Sequence, residues 1–438
     1  MEYSKEIERI LKRKKIEVGN RIRVIRGKEV FEGLLMPRIE LGDKSTLILK
    51  LDNGYNIGIK FNKKTKIEKI GRGKKPGKIP SLKLKGKRKE SISFIATGGT
   101  IGTHVDYLTG GVYMCRKPEE ILATVPELEE VVSIKRALRP FTLASEDMTP
   151  KEWKKLAKIV ARELNSDVKG VIITHGTDTL HFTSAALSFM LRNLNKPVAL
   201  VGAQRSPDRG SFDGRINLLC GAHFAKSQIA EVCIIMHSSI NDDCCFAIRG
   251  TKVRKMHTSR RDAFKPINDL PLAKIWSDGK IEILNENFRE RNDSKVVADT
   301  KFEEKVALIK AYPGSNPEII DWFVKKGYRG IVIEGTGLGH VPTSTLRKED
   351  SWIPHIKKAI DKGMVIAITS QCLYGRVHPY VYRNLRILSS SGAIFCEDML
   401  PEVAYIKLGW VLGHTKNKEK VKEMMLKNYA GEISERII

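Results

Sequence analysis

Residues 170–190 read GVIITHGTDTLHFTSAALSFM. Val171 to Thr174 form a short apolar, β-branched run behind a glycine, the pattern of a strand buried on both faces. From Leu180 onward the small and apolar residues suit a helix packed against that strand, and HGTDT between them is the turn. The same rhythm recurs on either side. ISFIA (92–96), VALVG (198–202) and VCIIM (232–236) read as further buried strands. MTPKEWKKLAKIVARELN (148–165) reads as a helix, with Thr149 as N-cap, Pro150 at the first helical position and Glu152 closing a capping box. Its apolar face is Trp153, Leu156, Ala157, Val160 and Leu164. Apolar strands alternating with helices predict an α/β domain with a doubly wound parallel sheet over residues 91–295. A second series begins near residue 300, with VALIKAY, a helix over 317–326, GIVIEGTG, a helix over 351–362, VIAITSQ and closing helices. It predicts a separate C-terminal α/β domain over 300–438.

The first ninety residues obey different rules. Residues 4–15 suit a short charged helix. Between about 18 and 70, β-type runs alternate with Gly and Asp52-Asn53-Gly54 turns, the pattern of a small all-β barrel. Residues 71–90, GRGKKPGKIPSLKLKGKRKE, combine Gly, Pro and like charges and read as an extended basic linker. Residues 1–90 hold 27 Lys and Arg against 11 Asp and Glu, so sixteen of the +26 net charges sit in about a fifth of the 438 residues. Such a module is attractive to a polyanion, RNA foremost, although no aromatic RNP-type motif accompanies it.

No apolar run approaches the roughly 18–20 residues of a membrane span, and MEYSKEIERILKRKKIE lacks the apolar stretch of a secretory signal. The seven cysteines (115, 220, 233, 244, 245, 372 and 396) form no C-x-x-C pair. They read as reduced thiols of a cytoplasmic chain, with no zinc site.

Chemistry in an open α/β sheet collects at the carboxyl ends of its strands. Behind ISFIA stands ATGGTIGT (96–103). A phosphate-binding P-loop would need a lysine there, and none lies between Lys89 and Lys117. The alternative is that Thr100 itself does chemistry, the glycines leaving room for a substrate. Three loops would then converge: TGGT (97–100), HGTDT (175–179) and RGTKVRKMHTSRRDAF (249–264). They offer Thr100, Thr177, Asp178 and one lysine of Lys252 and Lys255. A threonine hydroxyl needs a neighbouring base to attack, which a partly buried lysine can supply, with a carboxylate to orient it. His175 and His181 match no metal motif and read as packing or hydrogen-bonding residues.

ATGGTIGT and ITHGTDTL, about 75 residues apart, resemble both active-site signatures of the L-asparaginase/glutaminase family. The resemblance runs from about 91 to 420 through VGAQRSPDRGSFDGRINL, EGTGLGH and SQCLYGRVHPYVY. It implies a two-domain asparaginase-like fold and a catalytic set of Thr100 as nucleophile, Thr177, Asp178 and Lys255, leaving Lys252 over. ASEDM resembles the loop that holds the substrate's α-amino and α-carboxylate groups, implicating Ser145, Glu146 and Asp147. Glu146 stands where the family often has glutamine, and His340 where many members have an asparagine that reaches a neighbouring protomer. The mobile-loop tyrosine corresponds to Tyr107 or Tyr113. With its SH3-like N-terminal barrel, the whole resembles the D-subunit family of archaeal-type glutamyl-tRNA(Gln) amidotransferases. GNRIRVIRGKEVFEGLLMPR and DYLTG carry that likeness.

That resemblance implies a glutaminase subunit of a glutamine-hydrolysing ligase. It releases ammonia, which an ATP- and Mg-dependent E subunit transfers to misacylated Glu-tRNA(Gln). It further implies no cofactor or metal in this chain, a homodimer within a complex of two D and two E chains, and no membrane. A free-standing L-asparaginase/glutaminase is the alternative.

Overall fold

The computed structural model describes residues 3–38, 43–53, 55–72, 90–105, 112–114 and 118–437. Residues 73–89 of the basic linker, Gly54, Cys115 and the DYLTG stretch with Tyr107 lie outside the described residues, as does the side chain of Tyr113.

The N-terminal module opens with helix Lys5–Arg13, whose N-cap Ser4 accepts from the Ile7 amide. Five antiparallel strands follow: Asn20–Arg26, Glu29–Leu35, Thr46–Lys50, Asn56–Lys60 and Lys66–Arg72. The first strand lies between the second and the fifth, and the order ends at the fourth, so among the described residues hydrogen bonding leaves the barrel open. Strand alternation buries Ile22, Val24, Leu35, Leu47, Leu49, Ile59 and Ile67 around Ile7 and Leu11 of the helix. The last strand runs to Arg72, two residues beyond the expected boundary.

The central domain holds an eight-stranded sheet. Its parallel part comprises Ser91–Ala96, Ser133–Leu138, Val171–Thr174, Val198–Val201 and Val232–His237. The remaining three strands, Cys244–Arg249, Ala273–Trp276 and Ile281–Ile283, are antiparallel. The sheet is therefore mixed and not parallel throughout as expected. The reason is local: only residues 238–243 separate the fifth parallel strand from the next, too few for a crossover and enough for a hairpin.

Within the parallel part the spatial order is second, first, third, fourth, fifth strand in the chain. The order in which strands are added reverses between the parallel neighbours Ser91–Ala96 and Val171–Thr174, and such a switch point opens a crevice at the carboxyl ends of the two strands. Ala96 pairs with Thr174 and Thr174 with Val201, so the loops behind all three strands leave the sheet at one height.

The C-terminal domain has a four-stranded parallel sheet, Val306–Lys310, Gly330–Gly335, Val365–Ser370 and Ile394–Phe395. Helix Pro401–Leu412 lies between that sheet and helix Leu180–Met190 and is buried at every residue but Tyr405. It ties both domains into one apolar core in which Phe189 and Trp410 stack at 6.0 Å. Across the same boundary Lys252 pairs with Asp398 at 2.5 Å, both side chains almost wholly shielded from solvent.

Candidate active site

The TGGT turn is built by backbone packing. Thr97 is buried and its hydroxyl donates to the Thr174 carbonyl at 2.8 Å, tying the two switch-point loops together. Gly98 and Gly99 have φ of +121° and +84°, a region that glycine enters without strain. A Cβ on Gly98 would strike the Leu143 carbonyl, and one on Gly99 the Gly176 backbone. The glycines thus let loops 97–100, 143–145 and 175–177 stack main chain on main chain, and do not simply leave room for a substrate. Thr100 follows as the first residue of a short 3-10 turn, Thr100–Gly102, with its side chain partly exposed.

Thr177, Asp178 and Lys255 are in direct contact. Lys255 Nζ donates to Thr177 Oγ1 at 2.9 Å and to Asp178 Oδ1 at 2.6 Å. The lysine side chain is 10% exposed and the aspartate 66%, so the ammonium is shielded on one side and held by a solvated carboxylate on the other. Lys255 comes from outside the main sheet, on the ribbon of Val253–Lys255 and Phe264–Pro266, where it pairs with Phe264. Val253 and Phe264 anchor that ribbon in the core. Thr100 is not hydrogen-bonded to any of the three. It is joined to them through Gly99, whose neighbour across the stack is Gly176, the residue before Thr177.

Lys252 is elsewhere, engaged with Asp398. Of the two lysines that the sequence offers, Lys255 is the one in contact with Thr177 and Asp178.

Loop 145–147 lies against HGTDT. Thr179 Oγ1 donates to the Ser145 carbonyl at 2.6 Å and the Thr179 amide approaches Ser145 Oγ at 3.4 Å. Ser145 is buried, while Glu146 and Asp147 face solvent at the rim. His340 belongs to the C-terminal domain, half-buried on the Thr336–His340 turn with its ring 5.3 Å from Tyr382.

Beneath the site lie two neutral histidines. His175 is fully buried, its ring nitrogens 2.6 Å from the Gly176 carbonyl and 2.8 Å from Thr183 Oγ1, and burial pushes its pKa down to about 4. His181 falls to about 3, through burial first and then the nearby Arg254 and Lys255 charges. His175 is a hydrogen-bonding residue and His181 a packing residue, its ring 4.8 Å from that of Phe182 and its Nδ1 without a hydrogen-bond partner among the described residues.

Two features escaped that reading. Glu402, at the start of helix Pro401–Leu412, sits 3.7 Å from both His181 Nε2 and Arg254 Nε, and burial raises its pKa. Asp213 accepts the backbone amides of Gln204 and Arg205 at 3.0 and 2.9 Å, fixing the loop behind Val198–Val201. Its place before helix Gly214–Lys226 was the available signal, because acidic residues gather at helix starts.

Comparison with known proteins accords with this geometry. The model described as Asparaginase, N-terminal matches residues 91–289, Glutaminase/Asparaginase C-terminal domain matches 305–425, and GatD N-terminal domain matches 16–70. The chain is similar to the D subunit of glutamyl-tRNA(Gln) amidotransferase from Pyrococcus furiosus, 53% identical over 434 residues, with 98% of this chain and 97% of that protein covered. The same subunit from Methanothermobacter thermautotrophicus is 45% identical over 438 residues, covering 100% and 98%. Among solved structures, the thermostable L-asparaginase from Thermococcus kodakarensis superposes with a TM-score of 0.71 at 28% identity. L-asparaginase I from Vibrio cholerae gives 0.68, also at 28%. Each covers 79% of this chain and 100% of its own.

Proposed function

The chain belongs to the D-subunit family of glutamyl-tRNA(Gln) amidotransferases, and from that premise we propose how its site supplies ammonia. It is the glutamine-hydrolysing subunit of a tRNA-dependent amidotransferase, the complex that converts Glu-tRNA(Gln) to Gln-tRNA(Gln). The observation that carries the mechanism is the Lys255 ammonium bridging Thr177 Oγ1 and Asp178 Oδ1.

Thr100 attacks the side-chain amide carbon of glutamine. As the C–N bond breaks, Lys255 gives a proton to the departing nitrogen and takes back, by way of Thr177, the proton that Thr100 loses, so ammonia leaves. Water then adds to the threonyl ester, the C–O bond to Thr100 breaks and glutamate is released. Lys255 must hold and give up a proton in each half, and Asp178 keeps it aimed. Ser145, Glu146 and Asp147 hold the α-amino and α-carboxylate groups: buried Ser145 fixes the loop and the two exposed acids face the ammonium.

ATP and Mg belong to a partner E subunit, which also receives the ammonia and the misacylated tRNA, and this chain needs no cofactor or metal of its own. Two D chains pair so that His340 of one approaches the site of the other, and two E chains complete the assembly. No helix among the described residues is long and apolar enough to cross a membrane. The assembly works in the cytoplasm, without a membrane.

The test is glutamine hydrolysis by the purified chain alone, with its partner, and with partner plus Glu-tRNA(Gln). Ammonia release that rises with partner and charged tRNA, and is lost in Thr100→Ala and Lys255→Ala, supports the reading. A chain that turns over asparagine efficiently by itself and ignores the partner refutes it and favours a free-standing asparaginase.

A further inference from the structure

The N-terminal module is not only tethered to the amidase body; it is docked on one of its active-edge loops. Lys50, the last residue of strand Thr46–Lys50, places Nζ 2.9 Å from Asp208 Oδ2, and the side chains are 5% and 9% exposed. Beside this pair the Arg209 guanidinium lies 5.4 Å above the Tyr55 ring. Asp208 and Arg209 belong to loop 204–212, which leaves strand Val198–Val201 next to the strand that carries Thr177. The loop's root is clamped by Asp213, and from that root Arg205 donates to the Ser259 carbonyl at 3.3 Å. Ser259 lies in the turn of the Lys255 ribbon, closed by the Met256 amide on the Ala263 carbonyl at 2.6 Å. A continuous set of contacts therefore runs from the module, through Asp208 and Arg205, to the segment that holds the lysine.

We propose that Asp208 is a positioning residue of the amidase: paired with Lys50 of the docked module, it sets loop 204–212 and, through Arg205, the ribbon turn that holds Lys255 on Thr177. This rests on the assignment of Lys255 to the chemistry made above. The physics favours a two-position device. A buried ion pair that loses one partner leaves an uncompensated charge, whereas removing both charges together is close to neutral. With Lys50 replaced, the Asp208 carboxylate regains water only when the module lifts off the loop. Exposed pairs on the same module, such as Lys60 with Asp43, lack that leverage.

The experiment is a double-mutant cycle on the full chain with Lys50→Met, Asp208→Asn and their combination, and Lys60→Met as control. Steady-state amide hydrolysis is measured alongside hydrogen exchange. Lys50→Met, which strands the Asp208 carboxylate, is expected to lose about tenfold in kcat with KM changed less than about threefold, because Lys255 and not the substrate loop is displaced. The double variant regains kcat to within about threefold of wild type, and Lys60→Met stays at wild type. Exchange speeds up at 204–213 and 256–263 in the singles, while strand Val171–Thr174 remains protected. A Lys50→Met variant that keeps wild-type kcat with the loop released, or a double variant whose loss is the sum of the singles, overturns the proposal. Should the singles unfold, Arg205→Met, which leaves the docking pair intact, must reproduce the kcat loss; wild-type turnover in that variant overturns it equally. The cycle is read relative to wild type on whichever amide the chain hydrolyses. Failure of glutamine turnover in wild type therefore counts against the functional reading and not against this one.

Discussion

Two lysines three residues apart make opposite predictions. Lys252 and Asp398 are 2% and 0% exposed at 2.5 Å, and Asp398 also accepts the Ser434 amide at 2.9 Å. Lys252→Met leaves that carboxylate buried with one hydrogen bond and no countercharge, a loss of about 3–5 kcal/mol of stability. Its folded fraction should turn over glutamine within about threefold of wild type, since the pair lies outside the Thr177 contact set. Lys255→Met is the reverse case. Asp178, 66% exposed, stays hydrated when its partner goes, so the stability change should stay within about 1 kcal/mol. Turnover should fall by about 10³-fold or more, near 4 kcal/mol of transition-state stabilisation. Urea unfolding at pH 7.5 and an ammonia-release assay, run on both variants with their partner, separate the two effects. An inactive Lys252→Met of wild-type stability, or an active Lys255→Met, would falsify the assignment.

Three further outcomes follow from the same geometry. Alanine at Thr100, Thr177 or Lys255 should each remove most hydrolysis, and the double variants should lose little more, as groups acting as a unit do; single-turnover kinetics measures this directly. His175 and His181 have folded pKa values below the ordinary 6.5, so their contribution to stability is present above pH 6.5 and lost as pH falls toward 4; for His175 alone that is about 3 kcal/mol. Urea midpoints at pH 7.5, 6 and 5 should decline in wild type and less steeply in His175→Asn. Sedimentation should find the chain dimeric at assay concentration, and His340→Ala should raise KM for glutamine without dissociating the dimer, which a titration of rate against substrate checks.

What the sequence disclosed depended on how local each signal was. The helix Pro150–Leu164 was legible to the residue because its capping box and amphipathic face are written in consecutive positions. Val171–Thr174 and the loop behind it were legible for the same reason. Helix Pro401–Leu412 was not, since a helix enclosed on every side has no polar face and hence no periodicity. The three antiparallel strands at the sheet's far edge were missed because strand direction depends on the length of a connection and not on composition. Within the site, Thr177 and Asp178 are adjacent in the chain and came as one motif. Lys255 arrives on a ribbon from 77 positions beyond Asp178, and residue chemistry alone left it level with Lys252, a tie that only family resemblance broke. Glu402 and Asp208 act across module boundaries, where no spacing rule reaches.

The ion pair between Lys252 and Asp398 also bears on how the molecule responds to heat. Hydration of isolated charges becomes less favourable as temperature rises, so the penalty for keeping such a pair dry shrinks, while the gain from burying apolar surface levels off. The seam between the two α/β domains, joined by that pair and by Asn268 donating to the Asp398 and Gly375 carbonyls, should thus loosen late on warming. The N-terminal sheet, with its short helix and small core, has far less to hold it and should melt first. A warm sample would then contain an amidase body that is still closed beneath a module already undone, and calorimetry would resolve the two as separate transitions.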